Sequence, residues 1–116
     1  MKAIVITQPG EPEVLKIEER EKPQPKPNEV LIKVKAAGVN RPDIFQRKGN
    51  YPPPADMPQD IPGLEVAGIV EETGSEVAQW KNGDAVCALL GGGGYAEYAV
   101  VDARHCLPVP NQWSFA

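Results

Sequence analysis

Apolar and polar residues alternate in several short runs along the chain, with the two-residue period of β-strands. In the clearest run, from Val30 to Ala37, valine and isoleucine fall on one side and Lys33 and Lys35 on the other. The same pattern predicts five further strands, over residues 1–7, 14–19, 66–72, 85–90 and 95–100. Short strands at this spacing, separated by glycine and proline, predict a mainly β fold built as a partly open barrel.

The segments between these strands carry turn and breaker residues. Residues 22–27 alternate proline with polar residues, which predicts an extended strap that passes a barrel edge without pairing. Gly68 lies inside a predicted strand, where it indicates a bulge or a bend. Turns are expected around Gly74 and over residues 81–84.

The stretch between the third and fourth predicted strands favours one short helix followed by a rigid loop. Asn40 suits an N-cap, Asp43 adds a negative charge in the first turn, and Gly49 can end the helix in a left-handed conformation. Three prolines at 52–54 then hold Tyr51 on a stiff, exposed elbow. A polar side chain in that position is a candidate for chemistry.

Composition narrows the class of protein. A length of 116 residues indicates one domain, and 13 prolines with 11 glycines favour short strands and turns over a helical bundle. A net charge of −4 disfavours a nucleic-acid partner. With two cysteines, no leader-like start and no long apolar run, we expect a cytoplasmic protein that makes no membrane contact.

The last residues of the sequence indicate an interrupted domain. Trp113 and Phe115 are large apolar groups with little chain left to cover them, and Ser114 could cap a helix that does not follow. We therefore expect the chain to be truncated near a junction at Ala116.

Five motifs together carry a resemblance to a known family. They are Met-Lys-Ala with Pro-Gly-Glu-Pro-Glu-Val-Leu near the start, Asn-x-x-Asp-x-x-x-Arg-x-Gly-x-Tyr-Pro over 40–52, Pro-Gly-Leu-Glu over 62–65, Gly-Asp-Ala-Val over 83–86 and Gly-Gly-Tyr-Ala-Glu-Tyr over 93–98. In this order the chain resembles the medium-chain dehydrogenase/reductase family, and within it the zeta-crystallin branch of quinone oxidoreductases.

The resemblance implies that residues 1–116 form a GroES-like (chaperonin-10-like) barrel, the N-terminal catalytic domain of a two-domain enzyme. It implies that NADPH is held mainly by a Rossmann domain absent from this chain, and that the full-length form is a homodimer. No Gly-x-Gly-x-x-Gly follows a strand here, and the four glycines at 91–94 are interpreted as a barrel bend rather than a phosphate cradle. The isolated chain is expected to be inactive.

The resemblance also bears on zinc, which some members of the family use. Asn40 stands where those members have a cysteine ligand, and Leu64 stands where they have a histidine. The structural-zinc lobe is missing too, since only residues 91–94 occupy its place. His105 and Cys106 are adjacent, so in an extended chain they would point to opposite faces. We therefore expect no metal site.

Without a Lewis acid, reduction of a conjugated acceptor is favoured over oxidation of an alcohol. By resemblance, Asn40 and Asp43 line the cleft, Tyr51 places its hydroxyl beside the acceptor oxygen, and Asn40, Arg41 and Tyr95 contact the cofactor. Purely structural roles remain open for each: Asn40 as a cap, Asp43 and Arg41 as helix charges, Tyr51 as a surface ring, and Tyr95 as a barrel-wall aromatic.

Three functions fit this interpretation. The first is an NADPH-dependent quinone oxidoreductase that reduces a quinone or an enone. The second is a reductase of alkenals or enoyl thioesters built on the same barrel. The third is a non-catalytic GroES-like module that acts through protein contacts.

Overall fold

The computed structural model describes all 116 residues. It contains seven strands, one α-helix and two short 3-10 turns, at Pro12–Val14 and Ala103–His105. The strands are β1 (Lys2–Ile6), β2 (Leu15–Glu19), β3 (Glu29–Ala37), β4 (Glu65–Thr73), β5 (Ala85–Leu89), β6 (Tyr98–Asp102) and β7 (Cys106–Pro108), and the helix is α1 (Arg41–Lys48). Neither the helix nor the turns offer an apolar stretch of the length needed to cross a bilayer.

The strands form two antiparallel sheets, one with β1 and β2 and one with the order β6-β3-β4-β5-β7. The sheets meet where Ile4 N donates a hydrogen bond to Tyr95 O at 2.8 Å and where Ala3 bridges to Ala96. The mainly β, partly open barrel predicted from the sequence is confirmed. These 116 residues contain no Rossmann domain.

The core lies on the inner face of the five-stranded sheet. Val30, Ile32 and Val86 are fully buried there, and Val70 is 1 % exposed. The centre of β3 departs from simple alternation, because Leu31 is also fully buried although it faces the other way. β3 is therefore covered on both faces over Val30 to Ile32, whereas Lys33 is exposed; α1 follows from the other end of the strand.

Two register shifts between β3 and β4 bend the sheet. Lys35 is the extra residue on β3, and Glu71 is the extra residue on β4. Beside the shift at Lys35, a Cβ on Gly68 would lie 2.1 Å from the carbonyl oxygen of Lys33. The two backbones therefore approach to a distance that only glycine permits. The bend predicted at Gly68 is confirmed.

The connections match the predicted turns and strap. Residues 22–27 pair with no strand, and the Lys22 ammonium lies 4.3 Å from the centre of the Tyr98 ring while it pairs with Glu71. The turn over 81–84 is closed by a hydrogen bond from Asp84 N to Lys81 O at 3.1 Å.

The structure corrects some of the predicted strands. β6 begins at Tyr98 instead of Tyr95, because residues 95–97 bond partly to β1 as they cross between the sheets. β7 was not predicted, since three residues that end in Pro108 give too short a pattern. The alternation predicted for β2 is not observed: Ile17 is 69 % exposed while Glu18 is half-buried, because this two-stranded sheet is uncovered on the side of Ile17.

The C-terminal residues make no helix, so Ser114 caps nothing, and its hydroxyl donates to Ala116 O instead. Trp113 is 74 % exposed, as expected, whereas Phe115, expected to be equally uncovered, is half-buried.

Candidate functional site

The helix α1 is placed directly after β3 by the short link from Gly38 to Asn40. Asn40 occupies the N-cap position with extended backbone, and its N–H donates to Asp43 Oδ2 at 2.9 Å. Gly49 ends the helix in the left-handed region, with φ of 82°. The predicted bounds and both terminal residues of this helix are confirmed.

Asp43 points inward from α1 and meets Tyr95, which enters from the segment before β6. The carboxylate is 6 % exposed, and its Oδ2 accepts a hydrogen bond from the Tyr95 hydroxyl at 2.5 Å. Burial, and then the hydrogen bond and negative charge of Asp43, raise the pKa of Tyr95 well above its usual value. Tyr95 therefore stays protonated with its proton directed at Asp43, which leaves the phenol oxygen as an acceptor on its other side.

Gln46 is a buried polar residue of α1 that was not predicted as part of the site. It is 6 % exposed, and its Nε2 donates to the carbonyl oxygen of Gly91 at 3.2 Å. Its position three residues after Asp43, on the same helical face, is the sequence feature that would have indicated it. Asp43 and Gln46 thus form one polar stripe on the inner side of the helix.

The glycines at 91–94 lie against the proline elbow. A Cβ on Gly91 would come within 2.7 Å of Pro54, and Gly93 has φ of 88°, so side chains are excluded for steric and conformational reasons. The N–H groups of Gly93, Gly94 and Tyr95 are already bonded to the carbonyls of residues 61–63. Because these three amides are occupied, the segment is better described as a bend than as a complete phosphate cradle.

Several cavities border this glycine bend, and two of them lie at its two ends. The smaller, about 380 Å³, is an open hollow beside the Tyr95 ring, and it is bounded mainly by apolar groups: Ile4, Val34, Ala36, Ala37, Val39, Gly94 and Ala96. The larger, about 790 Å³, begins at Gly91 and extends over the ends of β3, β4 and β5. Glu65, Cys87 and His105 are the ionisable side chains at its wall. Most of the other lining residues, such as Leu89 and Leu107, are apolar.

The structure brings together some of the predicted site residues and leaves others apart. Asn40, Asp43 and Tyr95 are joined by hydrogen bonds. Tyr51 is 47 % exposed on the elbow after α1, as the three prolines predicted, and Arg41 is exposed on the first turn of the helix. The contact between Asp43 and Tyr95 was not predicted, because the two residues lie 52 positions apart in the sequence.

The residues around the site do not fit a metal ion. No three His, Cys, Asp or Glu side chains lie together, and both cysteines are free thiols. His105 is exposed at the end of a 3-10 turn while Cys106 is buried, where burial raises the pKa of its thiol to about 11. A thiol held protonated in the core is a poor metal ligand.

Comparison with known proteins extends this picture. Residues 26–111 match the family model for the alcohol dehydrogenase GroES-like domain. The chain is 40 % identical over 117 residues to the quinone oxidoreductase of Lama guanicoe and 45 % identical over 112 residues to that of Sus scrofa. These alignments cover 99 % and 93 % of this chain, but 35 % and 34 % of the relatives.

Among solved structures, the chain superposes with a TM-score of 0.90 on the Escherichia coli quinone oxidoreductase complexed with NADPH, at 34 % identity. The match covers 99 % of this chain and 35 % of that one, so the chain spans about a third of the length of the relatives it matches. Fold, motifs and comparisons agree: the chain belongs to the alcohol dehydrogenase GroES-like domain family, as part of the medium-chain dehydrogenases/reductases that the motifs indicated.

Proposed function

We propose that the chain is the N-terminal catalytic domain of an NADPH-dependent quinone oxidoreductase, in which hydride passes from NADPH to a quinone or conjugated carbonyl without zinc. The observation that carries the proposal is the similarity to quinone oxidoreductases along essentially the whole chain. The full-length form is proposed to be a cytoplasmic homodimer that acts on a small molecule and contacts neither nucleic acid nor membrane.

The proposal of a zinc-free reaction rests on the kinds of side chain at the site. Zinc in catalytic sites takes three ligands of the Cys, His or acidic type. Asn40 and Leu64 offer an amide and an aliphatic group, and the nearby Asp43 is already committed to Tyr95 and the Asn40 N–H. Reduction of a conjugated acceptor needs positioning and a hydrogen bond to the developing oxyanion, and both are available without a metal.

The hydrogen bonds suggest separate roles for the two tyrosines. The Tyr95 proton is directed at Asp43, so Tyr95 can accept a hydrogen bond from a bound group but is poorly placed to donate one. The Tyr51 hydroxyl is exposed, and we assign to it the hydrogen bond to the acceptor oxygen. Asp43 then acts as a positioning residue that orients Tyr95.

The chain fits only one end of a dinucleotide. The apolar hollow beside Tyr95 suits a flat ring, and its wall includes Val39, which directly precedes Asn40 and Arg41 in the chain. Three amides of the glycine bend are already paired, so the bend is a poor cradle for a pyrophosphate. Most of the cofactor contacts would therefore come from further polypeptide.

The test uses the complete polypeptide that contains this chain. NADPH oxidation is followed with a benzoquinone and, separately, with an α,β-unsaturated aldehyde. We expect turnover of the quinone with the higher kcat/KM. A preference for the aldehyde would favour the alkenal reductase instead, and absence of turnover with both would favour the non-catalytic module.

A further inference from the structure

One face of α1 holds both ends of the glycine segment, defined here as Gly91 to Tyr95. At one end the Tyr95 hydroxyl donates to Asp43, and at the other Gln46 Nε2 donates to the carbonyl of Gly91. Asp43 and Gln46 are three residues apart, so they are neighbours on the same side of the helix. A single helical turn therefore fixes the segment at two points.

Each of these side chains keeps one oxygen that has no hydrogen-bond partner in the chain. These atoms are Asp43 Oδ1 and Gln46 Oε1, and both are shielded from solvent. The orientation of the Gln46 amide is set by Gly91, whose carbonyl can only accept, so Nε2 must face it and Oε1 must face away. Two buried acceptors without a donor are costly to keep.

We propose that Asp43 and Gln46 together bind one buried water molecule and that Gln46 is thereby a positioning residue for the glycine segment. A water is the smallest molecule that donates two hydrogen bonds, which is the number that the two oxygens require. The cationic groups of α1 do not bond to these oxygens: Arg47 Nε donates to the carbonyl of Gly10, and Arg41 and Lys48 are exposed.

The anchoring of the glycine segment by Asp43 and Gln46 has a consequence for the two cavities. Gly91 borders the larger cavity and Tyr95 borders the smaller hollow, so a shift of the segment changes both walls at once. That this affects turnover rests on the proposed function, whereas the water and the anchoring do not.

The first test is a high-resolution crystal structure of the chain. The expected result is an ordered water within hydrogen-bonding distance of both Asp43 Oδ1 and Gln46 Oε1. A direct contact between these two oxygens, or an absence of water at both, would overturn the proposal.

The second test is hydrogen exchange in the Gln46→Met variant, which keeps the side-chain length and removes both polar atoms. Because a hydrogen bond of this kind is worth about a tenfold change in an opening equilibrium, the amides of Gly93, Gly94 and Tyr95 should exchange about tenfold faster, while that of Ile32 in β3 stays unchanged. A matched control is Gln59→Met, since Gln59 Nε2 also donates to backbone carbonyls, at the exposed surface of the elbow.

Acceleration of the Ile32 amide to the same degree would mean a general loss of stability and would contradict a positioning role. If Gln46→Met does not fold, the crystal structure of the unaltered chain still decides whether the water is bound between Asp43 and Gln46. In the complete polypeptide, Gln46→Met should raise KM for the quinone more than it lowers kcat. Inactivity of that polypeptide would remove the proposed function and leave the two structural tests intact.

Discussion

Asp43 accepts hydrogen bonds from two donors that are far apart in the sequence, the nearby Asn40 N–H and the Tyr95 hydroxyl from the segment before β6. The first belongs to a capping arrangement that local sequence rules describe. The second exists only because β3, β4 and β6 bring residues 52 positions apart into contact. One carboxylate thereby joins the start of α1 to the segment that leads into β6.

The raised pKa of Tyr95 makes the stability of the chain sensitive to high pH. The folded chain holds this proton more tightly than the unfolded chain, so the contribution is fully present below pH about 10 and is lost as pH rises through the folded-state pKa. Titration of phenolate absorbance should show one late step that vanishes in Tyr95→Phe and remains in Tyr98→Phe. A late step that survives Tyr95→Phe would show that another group is responsible.

Tyr51 is expected to orient the acceptor in the complete polypeptide. Tyr51→Phe should lower kcat/KM for a quinone about tenfold, because a hydrogen bond worth roughly 1.4 kcal/mol corresponds to that factor. Tyr98→Phe is the matched control, since Tyr98 lies beneath Lys22 and away from the elbow. Equal kinetics for Tyr51→Phe and the unaltered enzyme would refute the role assigned to Tyr51.

At the scale of elements, the helix and the strands with regular alternation were predictable, because capping residues, prolines and a two-residue period act locally. The start of β6 and the short β7 were not, since residues 95–97 pair partly with β1 and Cys106 to Pro108 gain strand geometry only beside β5. The candidate site likewise has some features that local sequence predicts and others that it does not. Asn40 and the exposed elbow followed from the sequence, whereas the bonds to Tyr95 and Gly91 depend on tertiary structure.

The bend of β4 against β3 is expected to be intolerant of a side chain. Gly68→Ala should lower the free energy of unfolding by about 3 kcal/mol, because its Cβ would meet backbone rather than a movable side chain. Gly83→Ala is the comparison: it has a positive φ of 95° but open space, so a loss of about 1 kcal/mol is expected. Urea unfolding of both variants measures the difference, and equal losses would mean that the close approach carries no cost.

At the scale of the whole molecule, several apolar side chains stay uncovered around the larger cavity. Leu89 is 67 % exposed and Leu107 is 65 % exposed, and the chain accounts for about a third of the length of its relatives. Such a surface is typical of a domain that packs against further polypeptide. The proposed cleft would then be shared between this barrel and a second unit.

The 116-residue chain by itself should show no measurable NADPH oxidation with a quinone, because it contains no Rossmann domain, to which the proposal assigns most of the cofactor contacts. Spectrophotometric assay of the purified chain, with the complete polypeptide as the positive control, tests this expectation. Steady turnover by the short chain would mean that the barrel alone assembles the site.

The proposal of a metal-free reduction is tested most directly by the rate of NADPH oxidation with a benzoquinone, measured on the complete polypeptide before and after exhaustive chelation. The donor groups around Asn40 predict an unchanged rate in protein that retains no transition metal. A rate that falls on chelation and returns when zinc is added would contradict the account.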